Sequence, residues 1–195
     1  MVAVPRPNDE RFASVPDEPR LIAQLQSGDP KSFEHVFRTY ATSLCDLAFS
    51  YLRSRDVAEE IVQELFTWLW THRHGFQPLH GLRAYLFGAV RNRSLNALRD
   101  EAASDRAAEQ SVRAAGSGVA AADADLLASD LEATVQSAVD GMTPRCREVF
   151  TLVRTQSLSY AEVAAILGIA PKTVEIHMGR ALAILRVRLG PWLNG

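Results

Sequence analysis

A helix start, a helix stop and a second helix start follow one another between Ser159 and Pro171, and that order leaves the segment few ways to fold. Ser159 and Glu162 have the spacing of a capping box, in which each side chain satisfies a backbone donor left free in the first helical turn. Val163, Ala164 and Leu167 give that first helix an apolar face. Gly168 suits the tight turn after its last residue. Pro171 suits the first position of the next helix, where a fixed φ helps and the missing N–H is not needed. Two short helices joined in this way form a helix-turn-helix, whose second helix exposes its first turns and can enter a DNA major groove.

The second helix shows which side faces out. Val174, Met178, Ala181, Leu182, Leu185 and Leu189 recur at spacings of three and four and make one inward stripe. Lys172, Thr173, Ile176 and Arg180 lie opposite, with Glu175 and His177 on the flanks. Lysine and arginine bond guanine edges or grip phosphate, and threonine offers a hydroxyl or a methyl. The plain alternative is an amphipathic helix with a solvated side. The agreement of cap, turn glycine, proline and stripe favours a DNA-facing surface.

Charge is segregated along the chain, although the formal net charge is only −2. Residues 1–73 carry eight basic and eleven acidic side chains. Residues 74–99 hold Arg83, Arg91, Arg93 and Arg99 and no acid. Residues 100–141 have two basic and nine acidic side chains, and residues 142–195 have seven and three. Two basic blocks flank an acidic spacer. Polyanion affinity follows local rather than total charge, so two nucleic-acid contacts fit a protein of pI near 6.2. Cys45 and Cys146 have neither a disulfide framework nor zinc spacing, which points to free thiols in the cytoplasm. No apolar run approaches the roughly 20 residues of a membrane span, and no signal peptide is expected.

The pattern predicts an all-α protein of two small helical domains joined by a flexible linker. Residues 1–17 read as a disordered tail, 18–102 as a first helical domain, 103–130 as an acidic alanine-rich linker and 131–195 as the helix-turn-helix domain. In the first domain, Leu21, Ile22 and Leu25 mark a short helix ending near Gly28. Asp29 and Pro30 cap a second, which continues to about Leu52. A third spans about Asp56 to Thr71, with Val57, Ile61, Leu65, Trp68 and Leu69 as its inward stripe. A loop from His74 to Gly81 precedes a fourth helix over about Leu82 to Glu101. Thr143 and Pro144 repeat the cap-and-proline signal before the helix-turn-helix.

Two surfaces of the first domain stand out. Asp56, Glu60 and Glu64 stack at i, i+4 spacing, where like charges repel; beside Gln63 and aromatic area, such a row points to a basic protein partner or to a plain acidic face. The fourth helix changes from Leu82, Tyr85, Leu86, Ala89 and Val90 to a run from Arg91 to Arg99. Arginines, asparagines and the nearby Phe76, Tyr85 and Phe87 suit single-stranded nucleic acid, with cations on the backbone and rings on unstacked bases. Snorkelling arginines on a core helix are the alternative.

Gly28 and Asp29 through Phe33 and Tyr40, Asp56 to Trp70 with Gln63, Glu64 and Phe66, Arg83 to Phe87 with Arg91, Asn92, Leu98 and Arg99, and Thr143 to Phe150 followed by Tyr160 to Leu185 together resemble the extracytoplasmic-function (ECF) sigma factors, the smallest class of the main, housekeeping-type bacterial sigma family. The likeness covers about residues 18–102 and 130–190. It departs at Tyr85, where many relatives have Trp, at Ala170, where a capping Ser is usual, and at Met178-Gly179, where a polar pair is usual. The resemblance implies a dissociable specificity subunit of RNA polymerase. Asp56, Glu60, Gln63, Glu64 and Phe66 would bind the core enzyme. Arg83, Tyr85, Arg91, Asn92, Arg93, Asn96 and Arg99 would melt and read the downstream promoter element. Lys172, Thr173, Glu175, Ile176, His177 and Arg180 would read the upstream element. It further implies an anti-sigma partner, of a kind that is often membrane-anchored, no cofactor, no metal and no small-molecule substrate. The acidic linker corresponds in place to the connector that threads the polymerase's RNA path.

A response-regulator or quorum-type transcription factor is the rival, because residues 143–177 resemble that helix-turn-helix nearly as well. Such proteins begin with a domain containing strands, whereas the opening here reads as helical. An enzyme is more remote. His72, His74 and His80 with Glu64 are conceivable metal ligands, but no Cys–His pair, phosphate loop or nucleophile elbow is present.

Overall fold

The computed structural model describes residues 17–111 and 128–193. The expected tail, apart from Asp17, and residues 112–127 of the expected linker lie outside the described residues. All regular structure among the described residues is helical, and the chain divides into two compact units.

The first unit contains α1 (Glu18–Ser27), α2 (Pro30–Leu52), α3 (Arg55–Thr71) and α4 (Leu82–Ser111). Gly28 ends α1 at φ 82°, and Asp29 starts α2. The Asp29 carboxylate accepts from the Ser32 amide at 3.0 Å and from the Ser32 hydroxyl at 2.6 Å. The Ser32 hydroxyl bond is the main cause that holds the Asp29 carboxyl below its usual value of 3.8. α2 packs along both α3 and α4. Its buried Val36, Tyr40, Leu44 and Leu47 meet Ile61, Leu65 and Leu69 of α3 and Leu82, Leu86, Phe87 and Val90 of α4 in the unit's core. Each such side chain contributes about 1.5–3 kcal/mol through removal from water. α4 runs ten residues past the expected end at Glu101, because the following alanines, Arg106 and Glu109 are good helix formers.

The inward stripe of α3 is corrected in part. Ile61, Leu65 and Leu69 are buried as expected, but Val57 and Trp68 are 38% and 36% exposed. Ala58, Val62 and Phe66 point inward instead. α3 is flanked by two helices rather than one, so its buried arc is wider than a single stripe and rotated from it.

The second unit contains α5 (Ala128–Asp140), α6 (Pro144–Phe150), a π turn over Thr151–Thr155, α7 (Tyr160–Leu167) and α8 (Pro171–Leu193). Thr143 precedes α6 but its side chain makes no capping bond. Arg147 instead reaches back to the end of α5, donating from Nε to the Val139 carbonyl at 3.0 Å and from Nη2 to the Asp140 carbonyl. α8 packs on α5 and α6. Met142, Cys146 and Ala181 form a buried cluster with Val139, Phe150, Ile184 and Leu185 around it. Cys45 and Cys146 are free thiols, and burial is the main cause that pushes both up.

Candidate nucleic-acid interface

The helix-turn-helix is built from the local signals expected. The Ser159 hydroxyl accepts from the Glu162 amide at 3.2 Å, while the Glu162 carboxylate accepts from the Ser159 amide at 2.7 Å. Gly168 takes the left-handed conformation at φ 62°, which glycine adopts without a Cβ penalty, and its N–H donates to the Ala164 carbonyl. Val174, Met178 and Ala181 anchor α8 inside, whereas Leu182, Leu185 and Leu189 are only half-buried.

On the other side of α8, Lys172, Glu175, Ile176 and Arg180 are exposed. Lys172 and Glu175 form an exposed ion pair at 2.8 Å. Ile176 is 46% exposed, an apolar group in the middle of a polar face. Thr173 and His177 are half-buried. The His177 Nδ1 is turned away from solvent and has no hydrogen-bond partner among the described residues. Its carbonyl accepts from the Cys146 thiol at 3.3 Å, which ties the middle of α8 to α6.

In the first unit, the exposed face of α3 carries Asp56, Glu60, Gln63 and Glu64. Glu60, Gln63, Glu64, Thr67, Trp68, Thr71 and His72 line an open groove along it. Phe66 departs from the expected set. It is 3% exposed and packs edge-on against Phe33 at 6.0 Å and Phe37 at 4.8 Å, so its ring supports the face from behind.

α4 separates its expected residues in the same way. Asn92, Asn96 and Arg99 are exposed, and Tyr85, Arg91 and Arg93 are half-buried. Arg91 donates to the Asn92 side chain at 3.1 Å and Arg99 to the Asn96 side chain at 2.9 Å. Arg83 does not reach this surface: it is 8% exposed, with its guanidinium 5.8 Å from the Phe87 ring centroid. Phe76 and Phe87 are also buried, which leaves Tyr85 as the accessible ring of the expected three. Burial raises the Tyr85 hydroxyl, and the Arg93 charge opposes that rise.

Trp68 and His72 were not among the expected site residues. Their rings stack at 4.6 Å, and Trp68 continues to Tyr85 at 6.1 Å, giving a ladder of rings from α3 to α4. The spacing of Glu64, Trp68 and His72 at i, i+4 carries the signal, but tryptophan's usual place in a core hides it. His72, His74, His80 and Glu64 do not assemble as ligands: among the described residues no three His, Cys, Asp or Glu side chains are placed to hold a metal ion. No helix among them is long and apolar enough to cross a membrane.

Residues 36–104 match the family described as Sigma-70 region 2, and residues 132–185 match Sigma-70, region 4. The RNA polymerase sigma factor CnrH of Cupriavidus metallidurans is 31% identical over 177 residues, spanning 87% of this chain and 92% of that protein. The ECF RNA polymerase sigma factor SigW of Bacillus subtilis is 24% identical over 179 residues, spanning 87% and 95%. Two solved structures share the architecture. CnrH in complex with the cytosolic domain of CnrY gives a TM-score of 0.63 at 27% identity, over 89% of this chain and 97% of that one. The sigma factor RpoE in complex with the anti-sigma factor NepR from Bartonella quintana gives 0.60 at 25% identity, over 82% and 98%. Where the rival would carry a strand-containing domain, the described residues before the helix-turn-helix are helical and match a sigma region of their own, and the chain belongs to the ECF RNA polymerase sigma factors.

Proposed function

We propose that this sigma factor binds core RNA polymerase through the exposed face of α3, opens and reads the downstream promoter element with α4 and the His74–Gly81 loop, and reads the upstream element in the duplex with α8. The observation that carries the reading is the sorting of charge by surface. Asp56, Glu60, Gln63 and Glu64 are exposed on α3, while Arg91, Arg93 and Arg99 sit with Asn92, Asn96 and Tyr85 on α4. Acid suits a basic protein groove; arginine, asparagine and a ring suit an unpaired strand. Phe66 and Arg83 act behind these surfaces, by holding α3 and α4 in place.

Opening needs no covalent chemistry. A surface that binds bases only when unstacked has differential affinity for open DNA, and this shifts the duplex toward it. On α8, Lys172 and Arg180 meet phosphates or guanine edges, Thr173 and Ile176 meet thymine methyls, and Glu175 accepts from cytosine. Two relatives are held in complexes, one with the cytosolic domain of CnrY and one with the anti-sigma factor NepR; this supports an anti-sigma partner here too. The polymerase places the action in the cytoplasm. In vitro transcription with sigma-free core enzyme and a genomic fragment library tests the reading: specific start sites are expected, and none at any protein concentration refutes it.

A further inference from the structure

α1 lies outside the residues that match Sigma-70 region 2, which begin at 36, yet it grips the chain between α3 and α4 at Phe76 and again at Leu82. Gln26 donates from Nε2 to the Phe76 carbonyl at 2.8 Å. Glu18 Oε1 accepts from the Leu82 amide at 2.8 Å and so caps the first turn of α4. A carboxylate there satisfies a free backbone donor and faces the positive end of the helix dipole. Gly81 makes the cap possible: it sits at φ 86°, and a Cβ at this position would come within 3.0 Å of Glu18 Oε1.

Between these two anchors the chain projects outward. Phe76 is buried, with its ring edge-on to Tyr85 at 4.8 Å. Gln77 and His80 are exposed, and Leu79 is 94% exposed. A leucine so placed gains nothing from the fold. It gains only from a partner surface, and a tip fixed at both ends loses less conformational entropy on meeting one.

We propose that α1 is a positioning element, in which Glu18 and Gln26 hold the tip Gln77–His80 so that Leu79 packs against an unstacked base of the opened strand. This rests on the reading of the loop as a base-capturing surface.

The test uses the full-length protein with core enzyme and an oligonucleotide of the non-template strand from a start site found by the transcription assay, together with versions carrying one altered downstream base. The ratio of the Kd values measures discrimination. Leu79→Ala is expected to lower it. Glu18→Ala is expected to lower it about tenfold and Gln26→Ala about fivefold, as the loss of a charge-assisted and of a neutral hydrogen bond implies. Glu18→Gln keeps an acceptor oxygen and restores most of the ratio. Core affinity stays within twofold throughout, by the same account. If Leu79→Ala leaves discrimination intact, the loop does not read bases and the proposal falls with that reading. If Leu79→Ala lowers it but Glu18→Ala and Gln26→Ala do not, the loop reads bases and the α1 brace is refuted. A drop that appears only together with lost core affinity refutes it as well, since α1 then merely supports the fold.

Discussion

Phe66 and Glu64 are two positions apart on α3, and the structure gives them opposite fates on substitution. Phe66 is 3% exposed, wedged between the rings of Phe33 and Phe37 where α3 meets α2. Cutting a buried phenylalanine to alanine costs about 3–5 kcal/mol, a figure that already includes the attraction between neighbouring rings. In a domain of about this size each kcal/mol lowers Tm by about 4–8 °C, so Phe66→Ala is expected to lower it by roughly 12–40 °C. Glu64 is exposed, and Glu60 stands one turn before it on the same face. Glu64→Lys relieves a like-charge i, i+4 pair and changes stability by less than about 0.5 kcal/mol. Melting followed by far-UV circular dichroism, with a pulldown on core polymerase, reads both effects. Glu64→Lys is expected to melt normally and bind core poorly. Phe66→Ala is expected to lose core binding only in proportion to unfolding. If Phe66→Ala melts like the parent protein yet fails to bind core, the ring belongs to the docking surface and the placement argued above is wrong.

Replacing Lys172 and Arg180 by alanine is expected to weaken duplex binding and to reduce the slope of log K against log salt by about 0.9 for each phosphate left without its cation; an unchanged slope removes α8 from the phosphate backbone. Ser159→Ala removes the hydroxyl half of the capping box, leaving the backbone bond to the Glu162 carboxylate, and is expected to cost about 1 kcal/mol, measured by denaturant unfolding of the full chain. Neutralising Arg91 and Arg93 is expected to impair strand opening more than duplex binding, and a normal permanganate footprint contradicts this. The Asp29 cap sets a pH dependence of known sign. Its carboxyl is lowered in the fold, so its stabilisation is complete above the unfolded carboxylate value of 3.8 and fades as pH falls through the lowered one. Asp29→Asn is expected to flatten that acid limb, and an unaltered limb in an acid titration shows that other carboxylates carry it.

The helix ends were legible because they are written within a single turn. Asp29 with Pro30, Ser159 with Glu162, Gly168 and Pro171 each act on backbone groups at most four positions away, and each stands where the sequence placed it. Thr143 had the same local form and makes no cap. The residue that secures that corner is Arg147, whose guanidinium closes the carbonyl end of α5, a contact that depends on how α5 and α6 meet. The same limit explains α3. A period of 3.6 identifies one stripe, but a helix packed on two neighbours buries a wider arc, and sequence alone does not say where that arc is centred.

The site residues divide along the same line, by whether residue type alone decides exposure. Charged and amide groups such as Asp56, Glu60, Gln63, Glu64, Asn92, Asn96, Arg99, Lys172 and Arg180 are costly to bury, so reading them as surface was secure. Trp68 and Arg83 break the rule in opposite directions, while Phe66 obeys it. Phe66 is an aromatic that belongs inside, as the general preference holds, and the expectation that it joins a docking row obscured that. Trp68 is an aromatic held outside, where His72 and Tyr85 cover part of its surface. Arg83 is a charged residue held inside, 8% exposed, with the Phe87 ring beside its head group. The brace from α1 was the least visible feature, since its ends are 50 and 64 positions apart in the chain. A glutamate at 18 and a glycine at 81 carry no mutual signal until the fold brings them together. Contacts of this long-range kind set the pose of an exposed loop, which the loop's own composition does not reveal.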